Sequence, residues 1–373
     1  MSVTKNLSSS GAWTESLVAP LRSVLLNPWV ESIVRLSAVN DTLGGLHPML
    51  SLSEVRVRVV RVIDESVDTK TFVLQPNSLW KVAKAGQFVR LRLEMDGRRV
   101  ERVYSLSSRP GARRLAITVR RQGCGLVSNY LHSAVKAGDV LTISQAAGDF
   151  VLPTQLAQKM LLLSAGSGIT PVMAMLRDLQ ARNFQGDLIF LHVCRTPEDF
   201  IFSQQLQTIA ATFPALKLIV HYSHSAGRFG VDMLKSTVPD LTERETWVCA
   251  PRALMDAVHQ LWDDANINVP LHSERFAAPA FLPTTAVGTP VAVEFAASGK
   301  NFVTSGSEPL LVQAERAGLA PKHGCRIGIC RSCQCTKTRG TVENLQTGEI
   351  SSTPNELIRL CISAARSDVA LDL

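Results

Sequence analysis

At 373 residues, with 46% hydrophobic and 19% charged side chains, the chain has the composition of a soluble globular protein of two or three domains. No apolar run reaches the ~18 residues a membrane span requires, and the polar, serine-rich start from Met1 to Gly11 lacks the basic end and apolar core of a secretion signal. The net charge of +7 comes without a basic block or aromatic–basic interleaving, which argues against nucleic acid, and the eight cysteines are expected in a reducing, cytoplasmic compartment, where clustered thiols bind metal more often than they form disulfides.

Residues 1–52 read as a leader. Trp13, Leu17, Val18, Leu21, Val24 and Leu25 recur at helical spacing, and Trp29, Val30, Ile33 and Val34 repeat the pattern after Pro28, which predicts two short amphipathic helices. Such a segment packs on the next domain or lies against a partner or bilayer, giving a peripheral contact at the inner membrane face.

From Glu54 the period falls to two. Val55, Val57 and Val59 alternate with arginines, as do Val89, Leu91 and Leu93, and four further strands predict a small antiparallel β-barrel over residues 53–152 with one helix near Leu126. After Phe150 the pattern becomes apolar strands separated by helices, a parallel α/β domain over residues 153–277. Its first strand, Lys159 to Leu163, runs into Gly166-Ser167-Gly168-Ile169-Thr170-Pro171, with Thr170 suited to the helix N-cap and Pro171 to the first helical position. An Ala/Pro/Thr-rich linker spans residues 278–290. A third domain, residues 291–373, opens with a hairpin and a helix.

The third domain carries Cys325, Cys330 and Cys333 in the spacing C-x4-C-x2-C, answered by Cys361. That is the plant-type arrangement for four thiolates on a [2Fe-2S] cluster. Gly324 and Gly328 permit the tight turn around such a group. Zinc sites bring paired C-x2-C motifs or regularly spaced histidines, which this run lacks; buried free thiols are the other alternative. Cys335 falls outside the four-ligand pattern and reads as a small buried residue. Lys322, Arg326, Arg331, Lys337 and Arg339 surround the run without an Asp or Glu between them, so the cluster rim is expected to be basic and its electron acceptor acidic.

Arg102-Val103-Tyr104-Ser105 resembles the flavin-binding R-x-Y-S signature of the ferredoxin-NADP reductase family, and Gly125-Leu126-Val127-Ser128 resembles the phosphate-binding loop that follows it. Gly166 to Pro171 resembles the opening of that family's nicotinamide domain, Cys249-Ala250-Pro251 its Cys-Gly-Pro with alanine for glycine, and Glu274-Arg275-Phe276 its closing E-x-F. The resemblance implies a flavin barrel, a nicotinamide α/β domain and a β-grasp ferredoxin domain in that order. It assigns Arg102, Tyr104, Ser105, Gly125, Val127 and Ser128 to FAD, and Gly166, Gly168, Thr170, Arg195, Ser223 and Arg228 to the nicotinamide nucleotide, with Thr170 and Cys249 beside the hydride path. Ser223 and Arg228 stand where the family places a 2′-phosphate site, so NADPH is expected over NADH. The arrangement looks most like the electron-transfer partners of membrane fatty-acyl desaturases. An NADH-dependent reductase of a soluble oxygenase and a redox-sensing module without turnover stay open.

Overall fold

The computed structural model describes residues 36–95, 98–123, 125–276, 290–304, 306, 308–324, 326, 328 and 331–373. The two leader helices expected before residue 36, most of the linker, and the ligands expected at Cys325 and Cys330 lie outside the described residues. What is described of the leader is one helix, α1 (Leu36–Leu46). Its buried Asn40 accepts from the Leu52 N–H at 2.8 Å and the Ser51 hydroxyl at 2.9 Å, while its carbonyl accepts from Arg56 at 3.0 Å. The end of the leader is thereby fastened to the first strand that follows.

Six strands make the barrel: β1 (Val55–Ser66), β2 (Thr69–Pro76), β3 (Phe88–Met95), β4 (Arg98–Ser105), β5 (Leu115–Arg120) and β6 (Val140–Ile143), in the order β4-β3-β6-β1-β2-β5. The alternation acts as expected, with Val55, Val57 and Val59 at 4%, 0% and 0% exposure while their neighbours face outward; burial of each valine contributes roughly 1.5–3 kcal/mol. A bridge between Leu106 and Ile117 closes β4 on β5. Helix α2 (Leu126–Ser133) lies between β5 and β6.

The second domain is a five-stranded parallel sheet, β7 (Lys159–Ala165), β8 (Asp187–Cys194), β9 (Leu216–Tyr222), β10 (Glu245–Cys249) and β11 (Leu271–Ser273), in the order β11-β10-β7-β8-β9. Helices α3 (Ile169–Ala181) and α4 (Ser203–Thr212) cover one face, and α5 (Val231–Thr237) and α6 (Arg252–Asp264) the other. Met160 to Leu163 are fully buried because β7 is central and apolar on both sides. Strand order reverses between β7 and β10, and the crevice outside the carboxyl ends there is where open α/β sheets bind ligands.

The third domain holds β12 (Val291–Phe295), β13 (Lys300–Thr304), α7 (Leu310–Arg316), β14 (Gln334–Arg339), β15 (Val342–Asn344), β16 (Ile350–Ser351), β17 (Glu356–Arg359), β18 (Ser363–Ala365) and β19 (Val369–Asp372). Its mixed sheet runs β13-β12-β19-β14-β17, with a small second sheet β16-β15-β18. Among the described residues no helix is long and apolar enough to cross a membrane.

Candidate functional site

A cavity of about 260 Å³ lies between the first two domains. Arg102, Tyr104 and Ser105 reach it from β4, Gly125, Val127 and Ser128 from the start of α2, and Ser167, Thr170 and Glu274 from the parallel-sheet domain. The structure thus brings the six residues expected at the flavin to one cleft, and with them Thr170 alone of the expected nicotinamide set. Three further lining residues escaped the sequence reading: Thr118, Arg120 and Gln122. Phe276, also in the lining, stood in the E-x-F segment, but Thr118 and Arg120 belong to an ordinary alternating strand that no local motif marks.

The donors fit a flavin with a phosphate tail. Arg102 supplies a guanidinium, and the first turn of α2 leaves backbone N–H groups without intrahelical acceptors, a suitable seat for phosphate. The Ser128 hydroxyl is already committed: it donates to the Gly125 carbonyl at 3.2 Å and accepts from the Gln122 N–H at 3.1 Å. Its side chain shapes the loop, and its backbone is what remains for a ligand. Burial pushes the Tyr104 phenol upward, so the ring stays neutral.

On the nicotinamide side the turn differs from expectation. Gly166 to Gly168 form a 3₁₀ turn, Gly168 is the N-cap of α3, and Thr170 lies inside the first turn with its hydroxyl donating to the Ser167 carbonyl at 3.1 Å. Thr170 therefore is not the cap; the 3₁₀ turn starts the helix two residues early. Each glycine has a steric reason. Gly166 has φ +54°, and a Cβ on Gly168 would sit 2.0 Å from the Cys249 carbonyl oxygen and 3.2 Å from its Sγ. β7 and β10 are neighbours, so this contact lies at the topological switch. Cys249 is 1% exposed, and burial, reinforced by the nearby Glu274 charge, drives its thiol well above its usual range. Glu274 is 7% exposed, within 3.5 Å of the Ser105 hydroxyl, and burial pushes its carboxyl up to about 8.

Arg195, Ser223 and Arg228 gather at the carboxyl ends of β8 and β9. The Ser223 hydroxyl donates to the Cys194 carbonyl at 3.3 Å, and the His224 N–H to the Arg195 carbonyl at 3.0 Å. Arg195 pairs with Asp199 at 3.4 Å and is largely exposed. His221 donates to the Gly227 carbonyl at 2.8 Å, which holds the loop that presents the exposed Arg228.

Of the cluster thiols, Cys333 and Cys361 are described and both are 3% exposed. The pairing of Gln334 with Arg359, and the Leu360 N–H donating to the Cys333 carbonyl at 3.1 Å, set the two ligand segments side by side. Soft thiolates at this spacing suit a [2Fe-2S] cluster. Cys335 points into the apolar core of the domain, and burial pushes its thiol up to about 12. The loop docks on the barrel: Arg90 of β3 donates to the Ser332 hydroxyl at 3.4 Å, and Arg331 approaches Asp149 at 3.8 Å. Arg90 pairs with Val103 across the sheet, one strand from the R-x-Y-S segment.

The expected basic rim is corrected by the structure. Lys337 is fully buried, donating to the Gly340 and Ser351 carbonyls at 3.0 and 3.1 Å beside Glu356 at 3.4 Å. Arg326 pairs with Glu315 at 3.0 Å and Arg339 with Glu294 at 2.7 Å. Together with Arg331 and Asp149, four of the five cations face an acid supplied from elsewhere in the chain.

Comparison with known proteins agrees with this division. Residues 56–152 match the oxidoreductase FAD-binding domain, 162–260 the oxidoreductase NAD-binding domain, and 295–366 the 2Fe-2S iron-sulfur cluster binding domain. An NADPH oxidoreductase of Mycobacterium tuberculosis is 36% identical over 90% of this chain and 88% of its own. The glycine betaine monooxygenase reductase subunit of Pseudomonas aeruginosa is 34% identical over 85% and 94%. The solved structure of phthalate dioxygenase reductase shares the fold, with a TM-score of 0.60 and 23% identity over 86% of this chain and 98% of that one. The chain belongs to the ferredoxin reductase family that carries a C-terminal [2Fe-2S] domain, and it is an NAD(P)H-dependent electron-transfer oxidoreductase using FAD and a [2Fe-2S] cluster.

Proposed function

We propose that the chain takes electrons from NADPH and passes them one at a time to an oxygen-activating enzyme, a membrane fatty-acyl desaturase in the finer reading. The observation that carries the route is the shared cleft, with Tyr104 and Ser105 on one wall, Thr170 and Glu274 on the other, and the cluster loop docked one strand away through Arg90. A reduced nicotinamide releases two electrons together as hydride and the cluster accepts one, so the flavin supplies the conversion when bound. The protein's part is positional. Arg102 and the first turn of α2 would hold the flavin tail, Gly168 and Thr170 would seat the nicotinamide beside it, and the buried Cys249 and Glu274 would keep water from that junction.

The preference for NADPH is supported by Arg195, Ser223 and Arg228 at the ends of β8 and β9, where a guanidinium and a hydroxyl suit a 2′-phosphate. The desaturase reading is supported by the amphipathic spacing of the leader, which suits an acceptor at a bilayer. A second reading, a soluble oxygenase as acceptor, is supported by the name of the Pseudomonas relative.

Anaerobic titration with NADPH and then NADH, followed by absorbance, tests the route; bleaching of flavin and cluster by neither coenzyme would overturn it. The acceptor is tested by NADPH oxidation with desaturase-bearing membranes and a saturated acyl thioester. Deletion of residues 1–35 should weaken vesicle binding while dye reduction persists. Indifference to both membranes and deletion favours the soluble oxygenase.

A further inference from the structure

Beside the cleft, one polar chain crosses between the flavin and nicotinamide domains twice. Glu65, near the end of β1, accepts the backbone N–H of Phe202 through one carboxylate oxygen at 3.3 Å and the Thr71 hydroxyl through the other at 2.7 Å. Thr71 shares a hydrogen bond with Thr118 at 2.8 Å, and Thr118 with Ser107 at 3.1 Å. The Ser107 carbonyl accepts from the Arg177 guanidinium, which lies 5.1 Å over the Phe202 ring. The chain thereby returns to the residue where it began. Thr71, Ser107 and Thr118 are 4%, 0% and 6% exposed, so these groups are committed to one another rather than to water.

Two observations give this ring a direction. Phe202 is a non-glycine residue at φ +61°, a conformation that persists where the surroundings over-determine it; its N–H is spent on a residue of the other domain. Arg177 belongs to α3, the helix whose first turn carries Thr170 into the cleft, and Thr118 lines the same cleft from the flavin side. A single crossing would leave a pivot. Two crossings, at Glu65–Phe202 and Ser107–Arg177, remove every rotation except that about the line joining them.

We propose that Glu65 and Arg177 are positioning residues that set the orientation of the nicotinamide domain over the flavin site, a two-point clamp required for hydride transfer rather than for binding either cofactor. The inference rests on the cleft being the site of that transfer. The full chain with its cofactors is mixed anaerobically with NADPH, and flavin bleaching is followed in a single turnover. Glu65→Ala and Arg177→Met should each lower the limiting rate tenfold or more, with flavin content retained and the half-saturating NADPH concentration within threefold. The double variant should be no slower than the slower single one, because the clamp acts as a unit. In flavin-free protein, exchange of the Phe202 amide should accelerate tenfold or more in Glu65→Ala, while that of Leu176 in the body of α3 stays unchanged.

If Glu65→Ala loses flavin, Arg177→Met carries the same rate expectation from the other domain. Rates within twofold of wild type, losses that multiply in the double variant, or an unchanged Phe202 amide would overturn the clamp. Wild-type protein that NADPH does not bleach would instead overturn the functional reading beneath it.

Discussion

Ser105 and Glu274, 169 residues apart in the chain, meet with Oγ and Oε2 separated by 3.5 Å at the junction of the flavin and nicotinamide domains. The contact joins the end of β4 to the segment after β11, so the two walls of the cleft, one from each domain, meet there.

The pair carries a pH signature. Burial raises the Glu274 carboxyl from its ordinary 4.5 to about 8, with the Ser105 hydroxyl pulling in the opposite direction. A carboxyl with a raised folded pKa binds more protons folded than unfolded between those values, so its contribution makes stability fall as pH rises from about 4.5 to about 8. Glu274→Gln should remove that component. Stabilities of flavin-free wild type and Glu274→Gln, read from thermal unfolding, are expected to diverge with rising pH in favour of the variant, by a difference on the order of 5 kcal/mol across the window. Parallel curves would show that Glu274 titrates normally.

Serine replacement separates ligand thiols from the core thiol. Cys325→Ser, Cys330→Ser, Cys333→Ser and Cys361→Ser should each abolish the visible absorption of the cluster and leave NADPH-driven flavin reduction intact. Cys335→Ser should keep the cluster spectrum and destabilise the third domain by about 1–3 kcal/mol, because a hydroxyl replaces a thiol among Val293, Ile358 and Leu371. Equal iron loss in Cys335→Ser and Cys330→Ser would sink the assignment.

Coenzyme choice is expected to reside at the carboxyl ends of β8 and β9. A charge-assisted bond to phosphate is worth about 1.5–3 kcal/mol, which corresponds to roughly 10- to 150-fold in kcat/KM. Arg228→Ala should lower the NADPH to NADH ratio of kcat/KM by a factor in that range and change NADH turnover little. An unchanged ratio would remove Arg228 from the site.

Charge neutralisation around the cluster loop changes what salt should do. With Arg326, Arg331 and Arg339 matched by Glu315, Asp149 and Glu294, electron delivery to the acceptor should fall only a few-fold between low and 0.3 M salt, over which the Debye length shrinks below ~10 Å. A steep, many-fold loss would mean that unpaired charge guides docking. Lys337 should matter for stability instead. Lys337→Ala leaves the Gly340 and Ser351 carbonyls without their buried donor and should destabilise the domain by about 1–3 kcal/mol, read as a lower temperature of cluster loss.

The three-domain order was legible because each domain announces itself locally. Period-two valines, an apolar β7 with a glycine turn, and a cysteine loop are short-range patterns that need no knowledge of partners. What stayed hidden is nonlocal. The acids that neutralise the loop come from α7, from β12 and from the residue before Phe150, and nothing in the run around Cys325 points to them. Lys337 is the instructive miss: Cys335 was read as buried because it lay outside the ligand pattern, and since Cys335 and Lys337 alternate inward along β14, a period-two reading carried on from the cysteine would have put the lysine inside as well. Thr170 failed as a cap for a different reason, since the 3₁₀ turn over Gly166 to Gly168 is set by contact with Cys249, which arrives from β10.

Strand β19 follows every cluster thiol in the chain, yet it occupies the middle of its sheet, parallel to β12 and antiparallel to β14. During synthesis, Cys325, Cys330, Cys333 and Cys361 therefore all emerge while β12 and β14 still lack the strand that joins them. A nascent or truncated chain lacking Val369 to Asp372 would present the complete set of thiols on an unfinished scaffold. Loss of Val369 to Asp372 should therefore yield a flavoprotein that still oxidises NADPH but has no electron outlet.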